Sequence, residues 1–215
     1  SNRGDSLMDT SVGKAGDLQK WIDAKLSLIF GVDLSKDNIE NRVNGACSRY
    51  LKAKKKYKVL PNAMFLQGNS SLNIKDGSGL YSEKAKQIVN AILNNTGARE
   101  ESSLGKTTFK LYGKAKDGFN IISTQFSLHY FFENMDTLHG YLRNVSENCK
   151  VGGYLIGTCY DGKKVFNALS KKKMGESIFE MNDSNEGKMW DIRKDYTQED
   201  FEDNPSCLGY EISVY

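Results

Sequence analysis

Three segments of this chain combine side chains that could bind a nucleotide-like ligand. The first is Asp9-Thr10-Ser11-Val12-Gly13-Lys14-Ala15-Gly16-Asp17, between an apolar run and a helical pattern. Its glycines permit a sharp turn and the close approach of a ligand. Asp33 ends the next apolar run, 24 residues after Asp9. Doubly wound folds place an acidic residue there to accept ribose hydroxyls. Neither the three-glycine dinucleotide pattern nor G-x-x-x-x-G-K-[ST] is present, and a two-glycine loop also serves as a plain tight junction. The second segment, Gln67-Gly68-Asn69-Ser70-Ser71, puts polar groups after a third apolar run; it reads either as a ligand edge or as a turn using Asn for its backbone. The third, Ser123 to Glu133, gathers Gln125, His129 and the aromatics Phe126, Tyr130, Phe131 and Phe132. Aromatics there can stack on a flat base while His or Gln bonds its edge. Phe131 and Phe132 read better as core, and for His129-Tyr130 a structural role and a ligand role stand side by side.

Cations form two runs, Lys52 to Lys58 and Lys171 to Lys173, and Lys14 and Lys20 flank the glycine loop. Such runs can hold phosphates, or can simply be solvated helix ends. Net charge is only +3 in 215 residues, too small by itself to mark a nucleic-acid binder. The four cysteines lie far apart without C-x-x-C, which reads as reduced thiols in a cytosol-like compartment. Two histidines exclude a three-histidine metal centre, and no metal site is expected. No apolar run is long enough to span a membrane, and Ser1 to Asp5 shows no secretion signal. The expected location is therefore cytoplasmic.

Alternating elements must position these groups. Strands are expected at Leu7-Met8, Leu26–Asp33, Ala63–Leu66, Phe119–Thr124 and Tyr154–Thr158. Helices are expected at Asp17–Ala24, Lys36–Lys54 with Ser35 as N-cap, Ser82–Asn94, Asp136–Cys149 and Lys163–Lys173. Continuous apolar strands alternating with helices argue for an α/β fold: a mostly parallel central sheet with helices on both faces. Residues 95–117 lack periodicity and read as a surface insertion with a short strand at 107–111. Strands are also expected at Met189–Tyr196 and Gly209–Tyr215. A chain that stops inside an apparent strand is expected to be a fragment.

These segments resemble the mRNA cap guanine-N7 methyltransferases. Met8 to Leu18 is similar to their L-D-L-x-C-G-K-G-G-D-L motif. Gly31-Val32-Asp33-Leu34-Ser35 resembles their second motif, and Gln67 to Ser71 stands where they have A-D-S-S. Gln125-Phe126-Ser127-Leu128-His129-Tyr130 resembles Q-F-x-x-H-Y. Leu142-Arg143-Asn144 followed by Gly152-Gly153-Tyr154-Leu155-Ile156-Gly157-Thr158 resembles R-N-x-x and G-G-Y-F-I-G-T. The wording is most similar to the methyltransferase domain of capping enzymes from giant DNA viruses.

The resemblance implies a Rossmann-like fold, S-adenosylmethionine as cofactor with S-adenosylhomocysteine as product, and the guanine of a capped RNA 5′ end as acceptor. It implies cofactor roles for Asp9, Ser11, Gly13, Asp33, Asn69, Ser70, Gln125 and Tyr130. It implies substrate roles for His129 and Tyr130 at the guanine and for Lys14, Lys20 and Arg49 at the cap ribose or phosphates. No residue is expected to act as a general acid or base, because guanine N7 carries no proton and transfer depends on positioning. Neutral or aromatic walls such as Phe126 and Tyr130 suit a sulfonium whose charge disappears.

Departures are visible. Ser11 and Ala15 narrow the loop, and Asn69 replaces an aspartate. The family's N-N-W-I-K-like and P-E-[YF]-L-V-like segments are not found, so a single methyltransferase domain over 1–215, truncated at both ends, is expected. No K-x-D-G occurs, so guanylyltransferase and triphosphatase domains would lie elsewhere in a parent polypeptide. The alternatives are a small-molecule methyltransferase, a nicotinamide oxidoreductase on a similar sheet, and a non-catalytic cofactor- or partner-binding module of a capping complex.

Overall fold

The apolar runs pair edge to edge. In the computed structural model, which describes residues 2–182, 187–201, 204 and 207–215, β1 (Ser6–Asp9) lies between β2 (Leu28–Asp33) and β4 (Phe119–Gln125). β3 (Asn62–Gln67) and β5 (Cys149–Thr158) complete a sheet in the order β3-β2-β1-β4-β5. Every pairing in this sheet is parallel. The α/β parallel-sheet expectation is met.

Successive strand residues feed opposite layers, as the pleat requires. Met8, Phe30, Val32 and Ile122 face one layer with α4 (Glu83–Ile92). Leu7, Ile29, Phe65 and Ile121 face the other, with Trp21 of α1 (Leu18–Asp23), Ile39 of α2 (Lys36–Glu40) and Ala46 of α3 (Ala46–Lys56). Helices therefore cover both faces.

Several boundaries differ from expectation, each for a local reason. The helix expected over Lys36–Lys54 is two helices. Ser35 does cap α2, accepting a bond from the Asn38 N–H. The Asn41 side chain then accepts from the N–H groups of Val43 and Asn44, offering the backbone a turn in place of another helical bond. Residues 95–117 hold α5 (Glu101–Leu104) and α6 (Lys106–Leu111), so the strand expected at 107–111 is helical. The β-branched Thr107-Thr108 suggested a strand, but Leu111 and Ala115 pack into the core beside α4, which overrides local propensity. The segment is therefore not wholly a surface insertion. β5 begins earlier than expected, at Cys149, with an irregularity opposite Phe119 to Ile121.

The last helices and strands form a second layer pair. α8 (Gly162–Leu169) packs with Phe166 and Leu169 against an antiparallel sheet of β6 (Ser177–Met181), β7 (Lys188–Lys194) and β8 (Ile212–Val214). The strands expected at 189–196 and 209–215 are β7 and β8. Among the described residues no helix is long and apolar enough to cross a membrane, and no cluster of metal-ligating side chains occurs.

The parallel register sets Asp9, Asp33, Gln67, Gln125 and Thr158 along one edge of the sheet. The strand order reverses between β1 and β4, and in such sheets ligands bind outside the carboxyl ends of the strands at that point.

Candidate functional site

The cleft lies between the loop after β1 and the loop after β4. On the first side the protein satisfies most of its own polar groups. The Gly13 N–H donates to Asp33 Oδ2 at 2.7 Å, and Asp33 Oδ1 accepts from the Ser35 N–H and the Asn38 side chain. Asp33 is thus fixed at the end of β2 and holds the glycine loop in place. Gly13 has φ +53°, and a Cβ built there or at Gly16 meets nothing within 4 Å, so the loop borders open space. Ala15 takes the same left-handed backbone at φ 56°.

Asp9 is buried beneath this loop. It accepts a bond from the Ser11 N–H, yet burial pushes its carboxyl up to about 7, with smaller contributions from the negative charges of Asp17 and Asp33. Three carboxylates therefore gather around one glycine loop. Asp17 is paired with Lys20 and Asp9 is raised toward neutrality, so the cluster is only partly anionic; it suits a ligand ammonium group, and the open space at Gly13 gives access. The residues present fit S-adenosylmethionine, which carries both a sulfonium and an ammonium group. Asp17, in the first motif but given no role by the sequence, belongs to this cluster.

The segment after β3 serves as a brace as well as an edge. The Ser70 hydroxyl donates to the Thr10 carbonyl at 2.7 Å and is buried. Asn69 Oδ1 accepts from the Ser71 N–H, the turn reading of this residue. Asn144 of α7 (Met135–Asn148) donates to the carbonyls of Ser70 and Leu72 and accepts from the Ile74 N–H. α7 lies so close that a Cβ on Gly140 would stand 1.8 Å from the Ser71 carbonyl oxygen. Below it, Thr10, Thr124 and Tyr141 form a buried hydroxyl chain with links of 2.7 and 2.8 Å. This network ties β1, β4 and α7 together under the cleft.

The second side is different. The Gln125 side chain bonds the hydroxyls of Ser123 and Thr158. Phe126 has φ 56°, rare for a bulky residue, held by bonds from its N–H to the Thr158 carbonyl and hydroxyl. A 3-10 turn, Leu128–Phe132, follows. Phe131 is core, stacked on Tyr141 with ring centroids 4.2 Å apart, as expected; Phe132 is exposed, contrary to expectation, because it lies beyond the packed face of the turn. Phe126 is 77% exposed and Tyr130 70% exposed. The His129 ring lies 4.4 Å from Tyr130 and 4.9 Å from Tyr160. Its Nδ1 is buried without a hydrogen-bond partner among the described residues, and burial lowers its pKa below the usual imidazole value. Tyr160, which the sequence did not single out, follows the end of β5; its place after a strand at the carboxyl edge is the signal that could have found it. Ser127 is the other omission: its hydroxyl meets that of Ser11 across the cleft.

Lys14 and Lys20 sit at the outer rim of the β1 loop. Lys14 pairs with Asp37 at 3.0 Å and donates to Asn44. Lys20 pairs with Asp17 at 2.6 Å. Arg49 is exposed on α3.

The model of the mRNA (guanine-N(7))-methyltransferase domain matches residues 2–208. The chain belongs to that family. A probable mRNA-capping enzyme of Acanthamoeba polyphaga mimivirus is 26% identical over 99% of this chain and 16% of its own length. An mRNA cap guanine-N(7) methyltransferase of Candida glabrata is 28% identical over 86% of this chain and 37% of its own. The chain thus spans well under half the length of these relatives. A solved S-adenosylmethionine-dependent methyltransferase of Clostridium acetobutylicum aligns over 90% of this chain and 55% of that one, at 14% identity and a TM-score of 0.49.

Proposed function

We propose that this chain methylates N7 of the guanine cap of mRNA, converting GpppN to m7GpppN. Beside the family, the observation that carries this reading is the aromatic cluster of His129, Tyr130 and Tyr160 at the carboxyl edge of β4 and β5. Its rings are exposed or half-exposed and surround a buried imidazole nitrogen with no hydrogen-bond partner among the described residues. A flat base with polar edges supplies both the stacking surface and the missing bond.

S-adenosylmethionine, when bound, supplies an electrophilic methyl group on a sulfonium. This chain's residues hold the two reactants in line. Asp33 and the Gly13 backbone would border the cofactor ribose, Asp9, Ser11 and Asp17 its amino-acid part, and Asn69, Ser70, Gln125 and Tyr130 its adenine and outer wall. His129 and Tyr130 would orient the guanine, with Tyr160 as an added wall. Lys14, Lys20 and Arg49 would meet the cap ribose or phosphates. Guanine N7 already carries a lone pair, so no proton needs to be removed and no general base is required. Positioning at near-attack distance is the main contribution.

The partner is a capped RNA 5′ end; the mimivirus relative is named a probable mRNA-capping enzyme and is several times longer than the matched segment, and guanylyltransferase and triphosphatase domains in one parent polypeptide would fit that arrangement here. Such work fits a cytoplasmic protein or viral factory. A second reading is cofactor binding without turnover, favoured by the glycine-loop wall, which Asp33 holds in place with no contribution from the acceptor side.

Calorimetric titration with S-adenosylhomocysteine and then GpppA separates these readings. His129→Ala is expected to lower methylation of GpppA about tenfold or more while leaving S-adenosylhomocysteine affinity within a few-fold. Equal loss of both would refute the role of His129. Cofactor binding with no turnover on any capped end would favour the second reading.

A further inference from the structure

The Lys52 to Lys58 run takes no part in the proposed site, yet the fold places it in line with it. On α3 the residues Ala46 and Tyr50 turn toward the core, where Tyr50 packs beside Phe65. Helical spacing then puts Arg49, Lys52, Lys55 and Lys56 together on the outer face. α3 contains no acidic residue. Among the described residues, none of these four side chains has a carboxylate partner; Lys52 bonds a backbone carbonyl and Lys56 lies over the Tyr57 ring.

Two contacts make this face continuous with the cleft rim. Lys14, in the glycine loop, donates to Asn44 in the turn before α3. Lys52 reaches back to the Val43 carbonyl of that same turn at 2.6 Å. Arg42, exposed in the turn, adds a further cation. From Arg49 to Lys56 the stripe runs about 10 Å along the helix. A row of unneutralised cations leading from the place assigned to the cap phosphates complements a polyanion that continues from the cap.

We propose that the Arg49, Lys52, Lys55 and Lys56 face of α3 is the track for the RNA chain downstream of its 5′ end, held through phosphates without reading bases. This rests on the cap-methylation reading for its direction. The second basic run, Lys171 to Lys173, follows α8 in the layer that packs against the antiparallel sheet, and is not part of the track.

The test compares binding of the GpppA dinucleotide with binding of a capped RNA about ten nucleotides long, by fluorescence anisotropy between about 50 and 200 mM salt. The variant Lys52→Gln/Lys55→Gln/Lys56→Gln changes only exposed side chains, and circular dichroism checks its fold. Loss of three phosphate contacts should reduce the slope of log K against log salt by about 2 and weaken RNA binding about tenfold or more. Affinities for GpppA and S-adenosylhomocysteine should stay within about twofold, because no residue assigned to them is altered. Unchanged RNA affinity would overturn the track. So would an equal loss in Lys171→Gln/Lys172→Gln/Lys173→Gln, which would mean a bulk charge effect. Competition by polyglutamate as effective as by RNA would also overturn it, pointing to an acidic protein instead. The same RNA without its cap is the further probe: equal affinity for it, with the predicted slope change, would overturn the cap reading and leave the track as an RNA surface.

Discussion

The two walls of the cleft are built on opposite principles. The wall formed by β1, β2 and the segment after β3 is closed on itself. Asp33 accepts from Gly13, Ser35 and Asn38, Ser70 is bound to Thr10, and Asn144 is bound on both its amide atoms. The wall formed by the ends of β4 and β5 is open. It presents Phe126 and Tyr130 to solvent, leaves His129 Nδ1 without a partner among the described residues, and keeps a bulky residue in left-handed backbone. A satisfied network fixes geometry before a ligand arrives, whereas exposed rings around an unpaired nitrogen gain their contacts only when one does. On the proposed reading, the closed wall is the rigid part of the cofactor site, and the open wall completes that site through Gln125 and Tyr130 while receiving the base at His129.

The largest break in this contrast would come from Gly140. A methyl group there would collide with the Ser71 backbone, and no side-chain rotation relieves that clash. Gly140→Ala should cost more than about 3 kcal/mol in chemical denaturation, enough to abolish folding of a marginal domain. A near-neutral effect would show that α7 does not press on the cofactor wall as tightly as its hydrogen bonds imply.

Asp9 tests the same wall by pH. Its carboxyl is raised from 3.8 to about 7 by burial first and by its carboxylate neighbours second. Below about pH 4 both folded and unfolded chains hold the proton. Between about pH 4 and 7 only the folded chain does, so stability falls as pH rises, by up to about 1.4 kcal/mol per pH unit. Above about 7 both are ionised and the contribution stays lost. Asp9→Asn should flatten that part of the stability profile, as followed by urea midpoints at several pH values. A slope that survives the substitution would assign it to another group.

The smallest effect is expected on the open wall. Phe126→Gly removes an exposed ring and places glycine where φ is 56°, so the protein should gain about 1 kcal/mol in thermal unfolding. Its affinity for S-adenosylhomocysteine or GpppA should fall at the same time. Gain of stability without loss of affinity would mean that the strained ring serves no ligand.

Most of the parallel sheet was legible in the sequence, because strands buried on both faces must be continuously apolar and helices between them must show a 3.6-residue period. The α2–α3 break was not, since it depends on Asn41 offering its side chain to the backbone of the next turn. Helix α6 was misread because its β-branched residues favour a strand locally, while its neighbours bury Leu111 in helical spacing.

The site divides in the same way. The chain alone determined which segments carry chemistry: a glycine loop, an aspartate at the end of the second strand, and a Gln-His-Tyr cluster at the end of the fourth. Those are local patterns tied to strand ends. Tertiary structure alone decided that Tyr160 stands over His129, that Ser127 meets Ser11, that Asn144 clamps the segment holding Ser70, and that α3 points its cations along the rim. Each of these joins residues distant in sequence, and such contacts follow from strand order and helix packing, which no local pattern encodes.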